Sequence, residues 1–155
     1  SYIRRGYPLS CFEDSLKRLR QAGLEVVVHT ILGLPRETRA DMLATMDYLS
    51  AQDIRGIKLQ LLHVLKGTDL AYDYLAGKFK VLEREEYIDL VADCLEHLDP
   101  SIVIHRVTGD GPKDLLIAPL WASRKREVLN LLHHRLKERH SFQGKALIRE
   151  TPETY

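Results

Sequence analysis

Three stretches of this 155-residue chain set polar side chains and glycine where apolar runs end: HTILGLPRE from His29, LLHVLKGTDL from Leu61 and HRVTGDGPKD from His105. In parallel α/β folds, ligands bind where the chain leaves the carboxyl ends of strands. Each stretch carries glycine and polar residues there: Gly33 beyond His29, Gly67 beyond His63 and Lys66, and Gly109 and Gly111 around Thr108 and Asp110. An imidazole donates or accepts a hydrogen bond as its tautomer dictates. Gly33 permits close backbone approach or an unusual dihedral. A structural turn is the alternative reading of Gly-Leu-Pro alone.

Other chemistries find no support. His133 and His134 are adjacent on a predicted helix, so they diverge by ~100° and cannot ligate one metal from one face. Neither G-x-S-x-G nor the phosphate-binding G-x4-GK[ST] spacing occurs. Arg124, Lys125 and Arg126 read as a solvated first helical turn. Formal net charge is +1, so no bulk electrostatic case favours nucleic acid or membrane. With 45% hydrophobic and 29% charged residues, the composition is that of one globular domain or a large piece of one. Cys11 and Cys94 make no disulfide framework, which suits a reducing, cytoplasmic compartment. No apolar run approaches the ~20 residues that span a bilayer. The opening SYIRRGY has no signal peptide and no initiator Met, so a fragment is expected.

The elements that would position these residues alternate. Phe12, Leu16 and Leu19 lie at helical spacing within 10–23, where Ser10 and Glu13 have capping-box spacing and Gly23 is a stop. The run 24–32 is β-branched and nearly continuous, as a strand covered on both faces should be. Pro35 suits a helix opening and Thr38 an N-cap, followed by Met42, Met46 and Leu49. A second strand is expected over 56–65, a helix over 83–99, a third strand over 101–107, a loop over 108–114 and a helix over 123–139. Strands separated by helices imply a parallel sheet. An open doubly wound sheet and a (βα) barrel both satisfy this order. Val27, His29 and Ile31 share one face of the first strand, and Lys58, Gln60 and Leu62 one face of the second. His105 and Arg106 should point to opposite faces of the third. A polar face suits a barrel lumen better than a sheet buried under helices on both sides, and favours the barrel.

HTILGLPRET resembles the fifth-strand motif of the radical S-adenosylmethionine superfamily, in which an apolar strand enters Gly-Leu-Pro with Glu/Gln and Thr close behind. YIRRGY and the following helix resemble the segment after that superfamily's fourth strand. LQLLHVLKGTDLAYDY and HRVTGDGPKDLLIAPLW resemble its YhcC-type branch, related to the elongator and coproporphyrinogen-oxidase branches. The resemblance runs from about residue 2 to about residue 145 and implies an α/β fold. That fold is a portion of a (βα)6 partial TIM-type barrel, with about three parallel strands, followed by a C-terminal helical extension.

The resemblance implies residues 1–107 as the C-terminal half of the barrel, 108–145 as a loop and helix extension, and 146–155 as a mobile tail. Family members bind a [4Fe-4S] cluster through Cys-x3-Cys-x2-Cys and split S-adenosylmethionine to a radical that abstracts hydrogen from substrate. That triplet is missing here. The chain is thus expected to be a fragment of an iron–sulfur oxidoreductase, inactive alone, with S-adenosylmethionine and the cluster belonging to the full-length parent. Arg5 matches the arginine that pairs with the methionyl carboxylate, and His29 a ribose-contacting position. Gly33, Leu34, Pro35, Gln60 and Leu62 match cofactor-wall positions. His63, Lys66, Thr108 and Asp110 are substrate-side candidates. Implied partners are the N-terminal half of the same protein and an unknown substrate, tRNA among the candidates. Three strands alone would leave edges prone to self-association. The alternative is a non-catalytic (βα) module for a nucleotide-like ligand or a protein.

Overall fold

The computed structural model describes residues 6–109 and 111–148. Arg5, Asp110 and residues 149–155 of the tail lie outside the described residues.

The chain runs α1 (Leu9–Gln21), β1 (Val27–Leu32), α2 (Arg39–Ser50), β2 (Gly56–Leu61), β3 (Val64–Leu65), α3 (Asp69–Leu75), α4 (Arg84–His97), β4 (Val103–Arg106), β5 (Leu116–Ala118) and α5 (Lys125–Glu138). Local chemistry sets several ends. Helix α1 stops in a Schellman arrangement, with Gly23 at φ +74° and the Leu24 N–H donating to the Leu19 carbonyl at 3.0 Å. Thr38 caps α2 reciprocally with Asp41, whose carboxylate accepts from the Thr38 N–H at 2.8 Å. Thr68 caps α3 by accepting from the Ala71 N–H.

Strands β1, β2 and β4 form a parallel sheet in the order β1-β2-β4. Ile57, Leu59 and Leu61 of β2 and Leu32 of β1 are buried in one core with Met42, Met46 and Leu49 of α2 and Ile88, Val91 and Leu95 of α4. Phe12 and Leu16 of α1 join that core. The other side of the sheet has no such cover. His29 is exposed, Ile31 is 44% exposed, and so is Val103 at 44%. Lys58 and Gln60 are half-buried on this side. One face packed and one face open is the arrangement that the polar alternation of β2 predicts, whereas β1, expected from its β-branched run to be covered on both faces, leaves His29 and Ile31 exposed.

Helix α5 packs outside α4 through an ionic clamp. Arg139 donates to Asp89 at 2.6 Å and Asp93 at 2.7 Å, and Arg135 donates to Glu85 at 3.1 Å. Arg135 also reaches Asp89, and Arg39 of α2 reaches Asp93 from the other side. Residues 140–148 fold back on α4 and the turn after it: the Gly144 N–H donates to the Leu95 carbonyl at 3.0 Å, and the Gln143 amide to the carbonyls of Asp99 at 2.8 Å and Ile102 at 2.7 Å.

The structure departs from the sequence reading in particular places. Helix α1 begins at Leu9 behind Pro8, so Ser10 lies inside the helix and cannot cap it. Pro35 sits in the turn before α2, whose first residue is Arg39. The run 56–65 splits: β2 ends at Leu61, and Val64–Leu65 pairs antiparallel with Leu116–Ala118 in a second, small sheet. Helix α3 and β5 are short, and their apolar residues are too few to show a period. A register shift in the β2–β4 ladder changes the third strand. Val103 pairs with Gly56 and Ile104 with Ile57, but Lys58 pairs with Arg106. His105 lies over Gly56, where a Cβ would meet its ring at 2.5 Å. His105 and Arg106 therefore join the same open side, because a bulge interrupts strict alternation.

Candidate ligand-binding face and strand-end loops

The candidate residues lie on the open side of the sheet and on the loops leaving its carboxyl ends. At mid-height His29, Lys58 and Arg106 stand at one register level. One step further Ile31 pairs with Gln60.

At the exits, backbone geometry is tight. Gly33 has φ +83°, and a Cβ there would meet the Leu82 side chain at 2.9 Å. Its N–H points to the Met42 sulfur at 3.2 Å. Leu34 and Pro35 are half-buried, and the Leu34 carbonyl accepts from the Glu37 N–H at 3.0 Å. The neighbouring exits are tied: the buried Leu62 donates its N–H to the Leu32 carbonyl at 2.9 Å. His63 follows. Its ring packs where Cβ atoms on Gly109 and Gly111 would stand, 2.6 Å and 2.9 Å away. The His63 Nε2 is buried without a hydrogen-bond partner among the described residues. Burial, and secondarily Lys125, push its pKa below the ordinary imidazole value, so the neutral ring is favoured.

The structure thus joins His63 to the loop of Gly109 and Gly111, with half-buried Thr108 immediately before it. Lys66 is exposed beyond β3, and its N–H donates to the Leu115 carbonyl at 2.8 Å. Sequence reasoning missed the Gly56–His105 packing and the place of Arg106, since a bulge leaves no signal in composition. Glu37 also gains interest. Its Oε2 is buried without a partner among the described residues, and burial, aided by Asp41, raises its carboxyl pKa.

Among the described residues no group of three or more His, Cys, Asp or Glu side chains could hold a metal ion. Cys11 is exposed on α1, and Cys94 is buried in α4 with its thiol pushed up to about 12 by burial. Neither fits as a thiolate ligand of an iron–sulfur cluster, and two separated cysteines cannot supply a triplet. The His29 imidazole and the apolar Leu34 of the exit turn line one groove with Ile31. No helix among the described residues is long and apolar enough to cross a membrane.

Parallel strands with helices on one side, and a polar open face on the other, define part of a TIM-type barrel. The chain belongs to the family described as the Radical_SAM C-terminal domain, which matches residues 54–138. It is 41% identical over 143 residues to the uncharacterized protein YtqA of Bacillus subtilis, covering 92% of this chain and 44% of that protein. It is 34% identical over 145 residues to protein YhcC of Escherichia coli K12, covering 94% and 47%. Elongator complex protein 3 of Saccharomyces cerevisiae is 28% identical over 127 residues, covering 80% and 23%. In fold, the chain matches the archaeal Methanocaldococcus infernus Elp3 with a TM-score of 0.72 at 18% identity, covering 90% of this chain and 33% of the other. The chain therefore spans less than half the length of these relatives.

Proposed function

We propose that this chain supplies part of the S-adenosylmethionine-binding wall and the substrate wall of a radical S-adenosylmethionine enzyme. The open polar face of the β1-β2-β4 sheet, at the ligand end of a parallel barrel, supports this reading most directly. His29 would hydrogen-bond the ribose, while Gln60, Leu62 and the Gly33–Pro35 turn would bound the adenine. His63 and Thr108 would face substrate at the mouth, together with Lys66. Arg5 and Asp110, beyond the described residues, keep their proposed roles at the methionyl carboxylate and the substrate. When bound, S-adenosylmethionine and its cluster would supply one-electron chemistry. The residues of this chain would bind, orient and exclude water. The cluster ligands would come from an N-terminal half of the same protein, in the cytoplasm. We include tRNA among the substrates to be assayed.

The test is anaerobic reconstitution of the natural full-length protein with iron, sulfide and reductant. The expected product is 5′-deoxyadenosine, with yield falling when His29 is replaced by Ala. A full-length gene without a Cys-x3-Cys-x2-Cys segment would overturn the enzyme reading. Retention of S-adenosylmethionine binding in that case would favour a non-catalytic nucleotide-binding module.

A further inference from the structure

Among the described residues, the Arg36 and Arg126 side chains make no ion pair or hydrogen bond, whereas every other described arginine has a partner. Both stand by loops that leave the carboxyl ends of strands. Arg36 holds a place that glycine would fill with less strain. The Leu34 carbonyl accepts from the Glu37 N–H at 3.0 Å, so Pro35 is second and Arg36 third in the turn. Arg36 has φ +72°, the left-handed conformation of the third place in a type II turn. Glycine enters that region freely, and a larger residue is strained there. The Arg36 side chain is exposed, so packing does not account for it. A surface ion pair would contribute too little to offset the strain. Arg126 lines a cavity of about 720 Å³ between the loop after β4 and the start of α5. Lys113 lines it too, likewise without a partner among the described residues, and Glu127 there is engaged by Arg84 and Arg124. Gly109 and Gly111 of that loop pack against the His63 ring.

We propose that Arg36 at one exit, and Arg126 with Lys113 at the other, bind phosphates along one polynucleotide strand. This rests on the reading of the strand exits as the substrate side, and assigns the residues that hold the substrate's backbone. Guanidinium forks suit phosphate oxygens, and a lysine adds a point charge. β1 and β4 flank β2, so their exits lie two strand spacings apart, ~10 Å. One oxyanion cannot bridge that span, but separate phosphates of one strand can. Between the two exits lies His63, whose Nε2 has no partner among the described residues. A base offers hydrogen-bonding groups there, and a polyphosphate offers no base. Formal net charge is only +1, so attraction comes from these local contacts and not from bulk charge.

The test uses the natural full-length protein, with bulk tRNA and inorganic polyphosphate as probes and salt varied between about 50 and 200 mM. Saturable tRNA binding is expected. Arg36→Gly should lower the slope of log affinity against log salt by about one, and Arg126→Gln by the same amount. The double variant should lose about two, since the contacts are separate. Arg36→Lys should keep the wild-type slope, because lysine also neutralises a phosphate. Without ligand, Arg36→Gly should melt no lower than wild type, because glycine relieves the turn. That combination, a turn no less stable and a weaker grip on tRNA, is one that a merely structural arginine would not give. Absence of saturable tRNA binding by the wild type overturns the proposal, and so does binding of polyphosphate alone. Unchanged salt slopes in both single variants overturn it as well. Lower melting of Arg36→Gly would make Arg36 structural and also overturns it. An equal loss of S-adenosylmethionine affinity in Arg36→Gly would assign the guanidinium to the methionyl carboxylate, with the same consequence. Failure of the wild type to bind S-adenosylmethionine while the tRNA slopes behave as expected would instead strike the underlying cofactor reading.

Discussion

Glu37 is the residue whose surroundings agree least with its charge. It stands four positions beyond Gly33 with one carboxylate oxygen buried and unpartnered among the described residues. Burial raises its pKa, and Asp41 adds to the shift. A carboxyl whose folded pKa is raised contributes stability that is fully present below the ordinary glutamate value of about 4.3 and is lost as pH rises through the folded pKa. Glu37→Gln keeps the shape and removes the charge. It should stabilise the protein at pH 7 by roughly 1 kcal/mol, the low end of the cost of an unsatisfied buried group, since part of the side chain remains in water. Below the ordinary range the two proteins should converge. Urea denaturation at pH 4 and pH 7 measures this. A substitution that destabilises equally at both values would show that Glu37 has a partner that the present geometry does not provide.

At the scale of elements, the two joints that matter are the His63 exit and the α4–α5 clamp. A methyl on Gly109 would stand 2.6 Å from the His63 ring, a rigid neighbour. Gly109→Ala should therefore cost about 1–3 kcal/mol as overpacking, and shift the His63 imidazole signals in a ¹H–¹⁵N spectrum. A variant with wild-type stability and unmoved His63 resonances would mean that the loop yields freely. Asp89 receives Arg135 of α5 and Arg139, the residue just past its end, together. Asp89→Ala leaves both guanidiniums with fewer partners, but they are only partly buried, so a loss of about 1 kcal/mol is expected. Thermal melts at low and high salt check this, with the difference shrinking as salt screens the clamp. Much of this architecture is legible in the chain. The helical periods of α4 and α5 and the β-branched run of β1 place those elements, and Thr38 and Gly23 mark real helix ends. Lys58 and Gln60 correctly foretell an open polar face. What is not legible depends on partners distant in sequence. The apolar run 56–65 looks like one strand, because only pairing with Leu116–Ala118 turns Val64–Leu65 into a second sheet. The bulge that brings His105 and Arg106 to one side follows from ladder register, not from local composition.

The whole molecule centres on a parallel sheet with one face packed and, among the described residues, an edge strand on each side, β1 and β4. β1 is an edge strand of the parallel sheet, and β2 pairs along its other side. Beside β1 a groove of about 520 Å³ is lined by Phe12, Leu16 and Leu19 of α1 and by Met42 and Met46 of α2. Ile31, on the open face of this edge strand, leaves 44% of its surface in water. An edge strand with unpaired backbone groups and exposed apolar side chains is a template for another strand. A neighbouring strand in the full-length protein would satisfy both groove and edge. Without one, the 155-residue chain should associate with itself. Sedimentation velocity should show a weight-average mass that rises with concentration. Ile31→Lys puts a charge on the exposed face of the edge strand, as natural sheets do to block pairing, and should shift the association constant down by about tenfold or more. The lysine points into water, so folded-state stability should change by less than about 0.5 kcal/mol. Co-expression of the upstream segment should suppress association of the wild type in the same way. A monomer at every concentration would show that α1 and the groove walls already close the edge, and the need for a strand partner would fall with it.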